Sequence, residues 1–339
     1  MGEDGAASLP LVSILLPIRN EAQHIEAALA AVLGQDYPAG RMEVLVIDGG
    51  SDDGTREIVG AIAAREGRVR LLDNPRRIVP TGMNLATAEA QGEVIIRVDG
   101  HCEIAPDYVR RCVEHLVRDR VDGVGGPVTT IGETPTAEAI ALAMSSRFGV
   151  GDSLFRTATD RTTLADTVPF PAYTREIVER VGPYDEELVR NQDDDYNYRL
   201  RKLGAKVLLA ADVRSRYYSR GTIRGLWRQY FQYGFWKVRV MQKHPRQMRP
   251  RQFVPPAFVA ALLGSALLAL VAPAGRWLFG LAAGAYALAN LVASAQVGRG
   301  KGIGAMARLP IIFAALHVGY GLGFLRGLLR FRNRWGGAA

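Results

Sequence analysis

Three groups of side chains could carry chemistry. Asp48 opens the run Asp48-Gly49-Gly50-Ser51-Asp52-Asp53-Gly54-Thr55, Asp99 and His101 flank Gly100, and Asp193, Asp194 and Asp195 stand in a row. A carboxylate and an imidazole two residues apart can share one divalent cation, and Mg2+ or Mn2+ bound this way also takes substrate phosphates. An aspartate at a strand end can bond a ribose hydroxyl or a base edge, and the glycines after it let backbone approach the ligand. The run is not a phosphate-cradling GxxxxGK[ST] loop, because no lysine follows. Three like charges at a helix start repel one another. The helix dipole accounts for one or two, which leaves one to act as general base on an acceptor hydroxyl. Each group also has a bland reading: a capped turn, a backbone-satisfied aspartate, a dipole-stabilised helix start. In combination the reading as a metal and nucleotide site is the stronger.

The elements that must position these groups are legible. Residues 12–17 (VSILLP), 44–47 (VLVI) and 94–98 (VIIRV) are continuous apolar runs, as in parallel strands covered on both faces. Ligands of open α/β sheets bind beyond the carboxyl ends of such strands, where these carboxylates stand. Helical spacing between them (21–33, 55–65, 81–90, 106–118) and a further strand at 69–72 predict an alternating α/β fold to about residue 125. Pro106 is expected in the first turn of its helix. Residues 138–148 read as helical, 149–166 as a mobile loop, 172–181 as a strand leading into a helix, 191–203 as a helix stopped by Gly204, and 207–210 as a strand.

Charge is divided along the 339-residue chain. Up to Asp212 there are 34 Asp and Glu against 23 Lys and Arg; beyond it there are 19 Lys and Arg and no carboxylate. Such a tail suits an anionic surface. Nucleic acid is disfavoured, since no recognition motif occurs and the tail is largely hydrocarbon. Residues 225–241 form an aromatic, basic, amphipathic helix of the kind that lies in a membrane interface. Residues 253–273, 277–297 and 306–329 are apolar runs of roughly 20 residues, the length that crosses a bilayer. Their small residues suit close helix packing and offer a route to a homo-oligomer. Lys243, Arg246, Arg249 and Arg251 before the first run place the N-terminal part in the cytosol. A third crossing would then export Arg330, Arg332 and Arg334, so that run reads as either an exception to the charge rule or a re-entrant or interfacial segment. Residues 1–10 lack the basic start and apolar core of a signal peptide. Cys102 and Cys112 fit neither a zinc pattern nor a disulfide framework, as in a reducing compartment.

In order and spacing, VSILLPIRNE, VIDGGSDDGT, VDGH and NQDDDYNYRLRKLG resemble the family 2 glycosyltransferases over about residues 11–240. VDGHC, RQYFQYGFWK and HVGYGLGFLRGLL are similar, more narrowly, to the succinoglycan-biosynthesis type of membrane glucosyltransferase. The resemblance implies the A-type nucleotide-sugar fold, a Rossmann-like, mostly parallel sheet. It implies a catalytic domain over 1–222, an interface helix and basic linker over 223–252, and a membrane domain over 253–339. Asp48 would contact the nucleoside, with Pro17, Arg19 and Glu21 lining the same pocket. Asp99-Gly100-His101 would stand for the family's Asp-x-Asp motif, binding ribose and diphosphate through Mn2+ or Mg2+, with His101 in place of the second Asp. Gln192-Asp193 would stand for its Glu-Asp motif, making Asp193 the base and Asp194 the fallback. Gln232, Tyr233 and Trp236 of the interface helix, with His317 and Arg326, would hold the acceptor. The implied reaction is transfer of one sugar from a nucleotide-sugar, a UDP-hexose, to a polyprenyl-diphosphate-linked saccharide at the bacterial inner membrane, with inversion. Processive synthases carry Gln-x-x-Arg-Trp in the interface helix; Phe235 stands where that Arg would be, which disfavours a polymerase. A polyprenyl-phosphate glycosyltransferase is a nearer alternative. A sugar-phosphate nucleotidyltransferase is a distant one, because it would want a basic Gly-rich loop and no membrane spans.

Overall fold

The computed structural model describes residues 9–151, 153–157 and 160–335. The chain divides into two packed units: Met1–Thr129 with Leu154–Tyr217, and Thr130–Ser153 with Tyr218–Ala339. The successive domains expected from sequence are therefore interleaved: residues 130–153 belong with the C-terminal helices.

In the first unit the strands are β1 (Val12–Ile18), β2 (Met42–Asp48), β3 (Val69–Asp73), β4 (Val94–Arg97), β5 (Cys102–Ile104) and β6 (Gly123–Gly125). The chain leaves this unit within β7 (Val128–Ile131), and β8 (Thr163–Leu164), β9 (Ala172–Thr174), β10 (Val207–Leu209) and β11 (Ser215–Tyr218) follow its return. Its helices are α1 (Ile25–Leu33), α2 (Thr55–Ala63), α3 (Val79–Glu89) and α4 (Tyr108–Arg118). In the second unit lie α5 (Pro135–Met144) and α6 (Arg147–Val150). The first unit then adds α7 (Leu154–Thr157), α8 (Arg175–Val181) and α9 (Gln192–Lys202).

Eight strands form one sheet in the order β3-β2-β1-β4-β9-β6-β10-β8. β3, β2, β1 and β4 are mutually parallel, as are β6 and β10. β9 runs antiparallel to both β4 and β6, and β8 is an antiparallel edge. In β1 every residue but Pro17 is buried, as the continuous apolar run requires of a strand covered on both faces. Register sets Ile18 beside Asp48 and Leu15 beside Arg97, so the polar groups after β1, β2 and β4 emerge at one edge.

Some expectations shift. α1 begins at Ile25 rather than residue 21, because the His24 and Ile25 amides both bond the Glu21 carbonyl in a turn. Pro106 precedes the α4 N-cap, Asp107, instead of sitting in the first turn. The expected loop at 149–166 holds α7 and β8, while residues 152, 158 and 159 lie outside the described residues, as do residues 1–8.

The second unit continues with α10 (Ile223–Lys243), α11 (Val254–Leu268), α12 (Pro273–Gly298) and α13 (Ile303–Arg330). Among the described residues three helical segments are long and apolar enough to cross a membrane: Pro250–Leu268, Pro273–Gly298 and Ile303–Arg330. Pro310 interrupts α13, and Asn290 of α12 donates to the Pro310 carbonyl at 2.9 Å. α10 and α13 pack most intimately. A side chain on Gly323 would overlap the Phe231 carbonyl, and a Cβ on Gly327 would lie 2.5 Å from that of Phe235. Small residues here bring the two backbones into contact.

Candidate active site

Four loops build the constellation in the first unit. At the end of β4, Arg97 places both Nε and Nη2 on Oδ1 of Asp99, at 3.0 and 2.9 Å. Gly100 follows, and a Cβ there would press on Ile18 and on Glu21 Cγ at 2.9 and 3.0 Å. Its bare backbone lets Glu21 lie across the loop and bond His101 Nδ1 at 2.9 Å. Tyr217, delivered by the antiparallel pairing of β11 with β5, meets the His101 ring edge-on at 4.9 Å.

The electrostatics follow from these pairs. Burial disfavours charge on Asp99, but Arg97 and His101 beside it hold its carboxyl below the ordinary range. Burial alone would lower His101, yet its bond to Glu21 and the negative field of Glu21 and Asp99 raise it to about 9. Arg97 stays charged in spite of its burial, because the carboxylates of Asp99 and Asp193 favour the guanidinium. Asp193 thus shares a neighbourhood with the Asp99 pair through Arg97, and Arg190 acts on Asp99 from the same side.

The three aspartates separate cleanly. Asp195 is buried and bonds Arg199 Nε at 3.0 Å one turn on, a structural role. Asp194 is partly buried, and its amide donates to Asp193 Oδ1 at 3.0 Å. Asp193 is exposed at the first turn of α9. Beside it Gln192 is buried, and its Oε1 takes no hydrogen bond.

Asp48 differs from expectation. Its carboxylate is buried and used within its own loop, accepting from Ser51 N and Oγ at 3.1 and 2.6 Å and from Arg56 at 3.2 Å. It organises the loop that a nucleoside would meet instead of presenting a free carboxylate. That loop is stitched to the β1 loop: Asn20 bonds Ser51 and Asp52, and the Glu21 amide donates to Thr55. Arg19 stands exposed beside Gly49, and Pro17 is partly buried at the end of β1. Pro17, Arg19, Glu21, Asp48, Asp99, Gly100 and His101 therefore lie on one connected set of loops at the carboxyl edge, with Asp193 within electrostatic reach of Arg97. Asp48 is joined to the Asp99 cluster indirectly, by way of Asn20, Thr55 and Glu21 and of its neighbour Ile18, which lies against Gly100.

Gln232, Tyr233, Trp236, His317 and Arg326 belong to the second unit. Trp236 Nε1 donates to Gln232 Oε1 at 3.2 Å, and Tyr233 OH accepts from Gln229 at 2.9 Å. His317 is corrected: Nε2 bonds the Phe148 carbonyl at 2.8 Å and Nδ1 bonds Tyr286 OH at 3.1 Å, with Phe148 and Phe313 against its ring. Both ring nitrogens are used by the fold, so His317 is a packing residue and has nothing left for a diphosphate. Arg326 is exposed.

Sequence reasoning missed Arg97, Tyr217 and Arg190. Arg97 did carry a signal, as a cation inside the otherwise apolar run VIIRV. Tyr217 had none, because a two-strand pairing of three residues leaves no periodic trace.

Among the described residues no three His, Cys, Asp or Glu side chains group into a cation cage. The pair Asp99 and His101 nonetheless fits one face of such a site. Arg97 and Glu21 each occupy one atom of the pair, while Asp99 Oδ2 and His101 Nε2 take no hydrogen bond from the described residues. A carboxylate behind a ligating histidine is the usual support for its orientation.

Comparison with known proteins identifies the family and the fold. Residues 13–182 match the family model for glycosyl transferase family 2. The chain is 34% identical over 325 residues to the succinoglycan biosynthesis protein ExoA of Rhizobium meliloti (strain 1021), covering 95% of this chain and 96% of that one. It is 26% identical over 240 residues to a Methanococcus voltae protein, dolichyl N-acetyl-alpha-D-glucosaminyl phosphate 3-beta-D-2,3-diacetamido-2,3-dideoxy-beta-D-glucuronosyltransferase, covering 68% and 74%. The structure of mannosyltransferase PcManGT from Pyrobaculum calidifontis, in complex with GDP-Man and Mn2+, matches with a TM-score of 0.58 at 23% identity, over 94% of this chain and 88% of that one. That likeness establishes the A-type glycosyltransferase fold.

Proposed function

The chain belongs to glycosyl transferase family 2, and from that premise we propose that it moves one sugar from a nucleotide-sugar, a UDP-hexose, to a saccharide carried on a polyprenyl diphosphate. The product would enter a bacterial exopolysaccharide or surface glycan. The observation that carries this reading is the grouping of Asp99, His101 and Asp193 around Arg97 at the carboxyl edge of the parallel strands. The ExoA relative supports exopolysaccharide assembly, and the dolichyl-named relative supports a lipid-linked acceptor.

The roles divide by position. The loops at Pro17, Arg19 and Glu21, and the loop Asp48 braces, would seat the nucleoside. Asp99 and His101 would hold Mn2+ or Mg2+, which when bound neutralises charge on the departing nucleoside diphosphate. Asp193, exposed at the first turn of α9, would accept the proton of the acceptor hydroxyl as it attacks the anomeric carbon. Gln192 Oε1 would accept from the same incoming saccharide, satisfying an otherwise orphaned buried acceptor. One displacement inverts the anomeric centre. Gln232, Tyr233, Trp236 and Arg326 would serve the lipid-linked acceptor from the second unit. The acid-free tail and the apolar helices support placement in the bacterial inner membrane, against anionic headgroups, with the catalytic unit in the cytosol.

The test is a donor screen on purified protein with polyprenyl-diphosphate saccharides, reading nucleotide release. Transfer from a UDP-hexose is expected. In Asp193→Asn, turnover should fall by about 10²–10⁴ while calorimetric affinity for UDP with Mn2+ stays unchanged. An unaltered rate in that variant would remove Asp193 from the mechanism.

A further inference from the structure

The third apolar helix, α13, differs from the other two. Half of its apolar window is buried inside the protein, against 17% for each of the other two. A helix half covered by protein has less surface left for lipid than either of the others.

What covers it matters more. The C-terminal half of α13 runs parallel to α10: Gly319 lies against Trp227, Gly323 against Phe231 and Gly327 against Phe235, and Gln242 donates to the Phe331 carbonyl at 2.8 Å. α10 carries Arg224, Arg228, Lys237, Arg239 and Lys243 within its 21 residues. A helix with that many cations does not enter hydrocarbon. Because α13 is locked backbone to backbone along α10, a bilayer-spanning α13 would carry those cations in with it.

The ends of α13 give the same answer. Its C-terminal part meets the start of α11: the Phe324 and Phe253 rings are 6.0 Å apart, and a Cβ on Gly321 would lie 2.7 Å from the Pro255 carbonyl. Its N-terminus follows the end of α12 after a short loop, with Met306 against Gly298. If α11 and α12 cross the bilayer as a hairpin, the start of α11 and the end of α12 lie on the same side. Both ends of α13 then lie on that side too.

We infer that this protein crosses the bilayer twice, through α11 and α12, and that α10 and α13 together form a layer in the headgroup region of the face from which α11 enters. The partner of this layer is an anionic lipid surface. The arrangement removes the conflict with the charge rule: of the cations from Arg220 onward only Arg276 lies at the far turn, and Arg326, Arg330, Arg332 and Arg334 stay with the rest. The inference rests on the membrane reading above and not on the identity of the sugar.

Single-cysteine reporters test it in the full chain expressed in bacterial membranes. Val271→Cys sits in the α11–α12 turn, Ile303→Cys at the start of α13, and Asn333→Cys just beyond its end; all three native side chains are exposed. Cys102 and Cys112 are buried and set the background of the unaltered chain. With a membrane-impermeant maleimide, Val271→Cys should label in intact spheroplasts, and the other two only after permeabilisation. Labelling of Asn333→Cys in intact spheroplasts at the level of Val271→Cys would establish a third crossing and overturn the inference, as would a silent Val271→Cys in a chain that resists alkaline carbonate. A chain stripped off by carbonate would overturn the membrane reading itself. Nucleotide release from the same preparations reports on the glycosyltransfer reading separately.

Discussion

Glu21 decides what kind of group His101 is. A buried imidazole tends toward neutrality, but the Glu21 carboxylate at 2.9 Å reverses that and raises it to about 9. At neutral pH the cation-free site therefore holds an imidazolium, and a metal must displace a proton from it. The sign follows: apparent Mn2+ affinity should rise about tenfold per pH unit while His101 is protonated, and level off near pH 9. In Glu21→Gln the levelling point should drop toward the ordinary histidine value of about 6.5. Titrating free Mn2+ by electron spin resonance between about pH 6 and pH 9.5 measures both curves, and a flat wild-type curve would deny His101 a place as ligand. Residue chemistry was partly legible in the chain. Asp99 and His101 stood out by type and spacing once set beside Asp48, whereas Asp193 was singled out from its two neighbours only by the resemblance to the family's Glu-Asp motif. Asp195 could have been set apart as well, since Arg199 follows it by four residues. The burial of Asp48 was not legible, because the Ser51 and Arg56 that enclose it are ordinary in sequence and become partners only through the turn at Gly49-Gly50.

At the scale of elements, apolar runs were readable as strands, but the order and direction in which they pair were not. β1, β2 and β4 could be seen because strands buried on both faces write continuous Val/Ile/Leu runs. β9 was readable as a strand but its direction was not: Ala172–Thr174 runs antiparallel between β4 and β6, and no local pattern encodes an antiparallel strand inserted into a parallel sheet. The glycines of α13 were visible, but their purpose was not. In Gly323→Ala the new methyl would overlap the Phe231 carbonyl, which the backbone of α10 cannot yield cheaply. The expected loss is about 1–3 kcal/mol, as for other overpacked sites. Gly284 lies in α12 with nothing within 4 Å of the point a Cβ would occupy, so Gly284→Ala should be neutral or gain about 0.5–1 kcal/mol. Thermal midpoints of the two variants in the same detergent make the comparison, and equal midpoints would mean that α10 and α13 do not meet through backbone.

For the whole molecule, the division of charge is the organising fact, with 34 carboxylates all before Val213 and 19 cations after Asp212. The sequence displayed that division outright, but not the interleaving of residues 130–153 with the C-terminal helices, which depends on α5 packing against α13. A segregated charge of this kind has a physical consequence. Cations near an anionic leaflet each gain about 1 kcal/mol, an effect that decays over a Debye length of about 8 Å at physiological salt. Arg326, Arg330, Arg332 and Arg334 gather at one end of α13, so their contributions should add. Reconstituted into nanodiscs, the protein should therefore turn over a lipid-linked acceptor faster with an anionic phospholipid present than with a zwitterionic one alone. The advantage should fade as salt rises toward about 1 M, where the Debye length is about 3 Å. Replacing Arg330, Arg332 and Arg334 with Gln should remove most of the lipid preference while leaving hydrolysis of the nucleotide-sugar in detergent unchanged, since none of the three belongs to the loops around Asp99 and Asp193. If the triple variant kept its full preference for anionic lipid, the tail's charge would have to serve some purpose other than the bilayer surface.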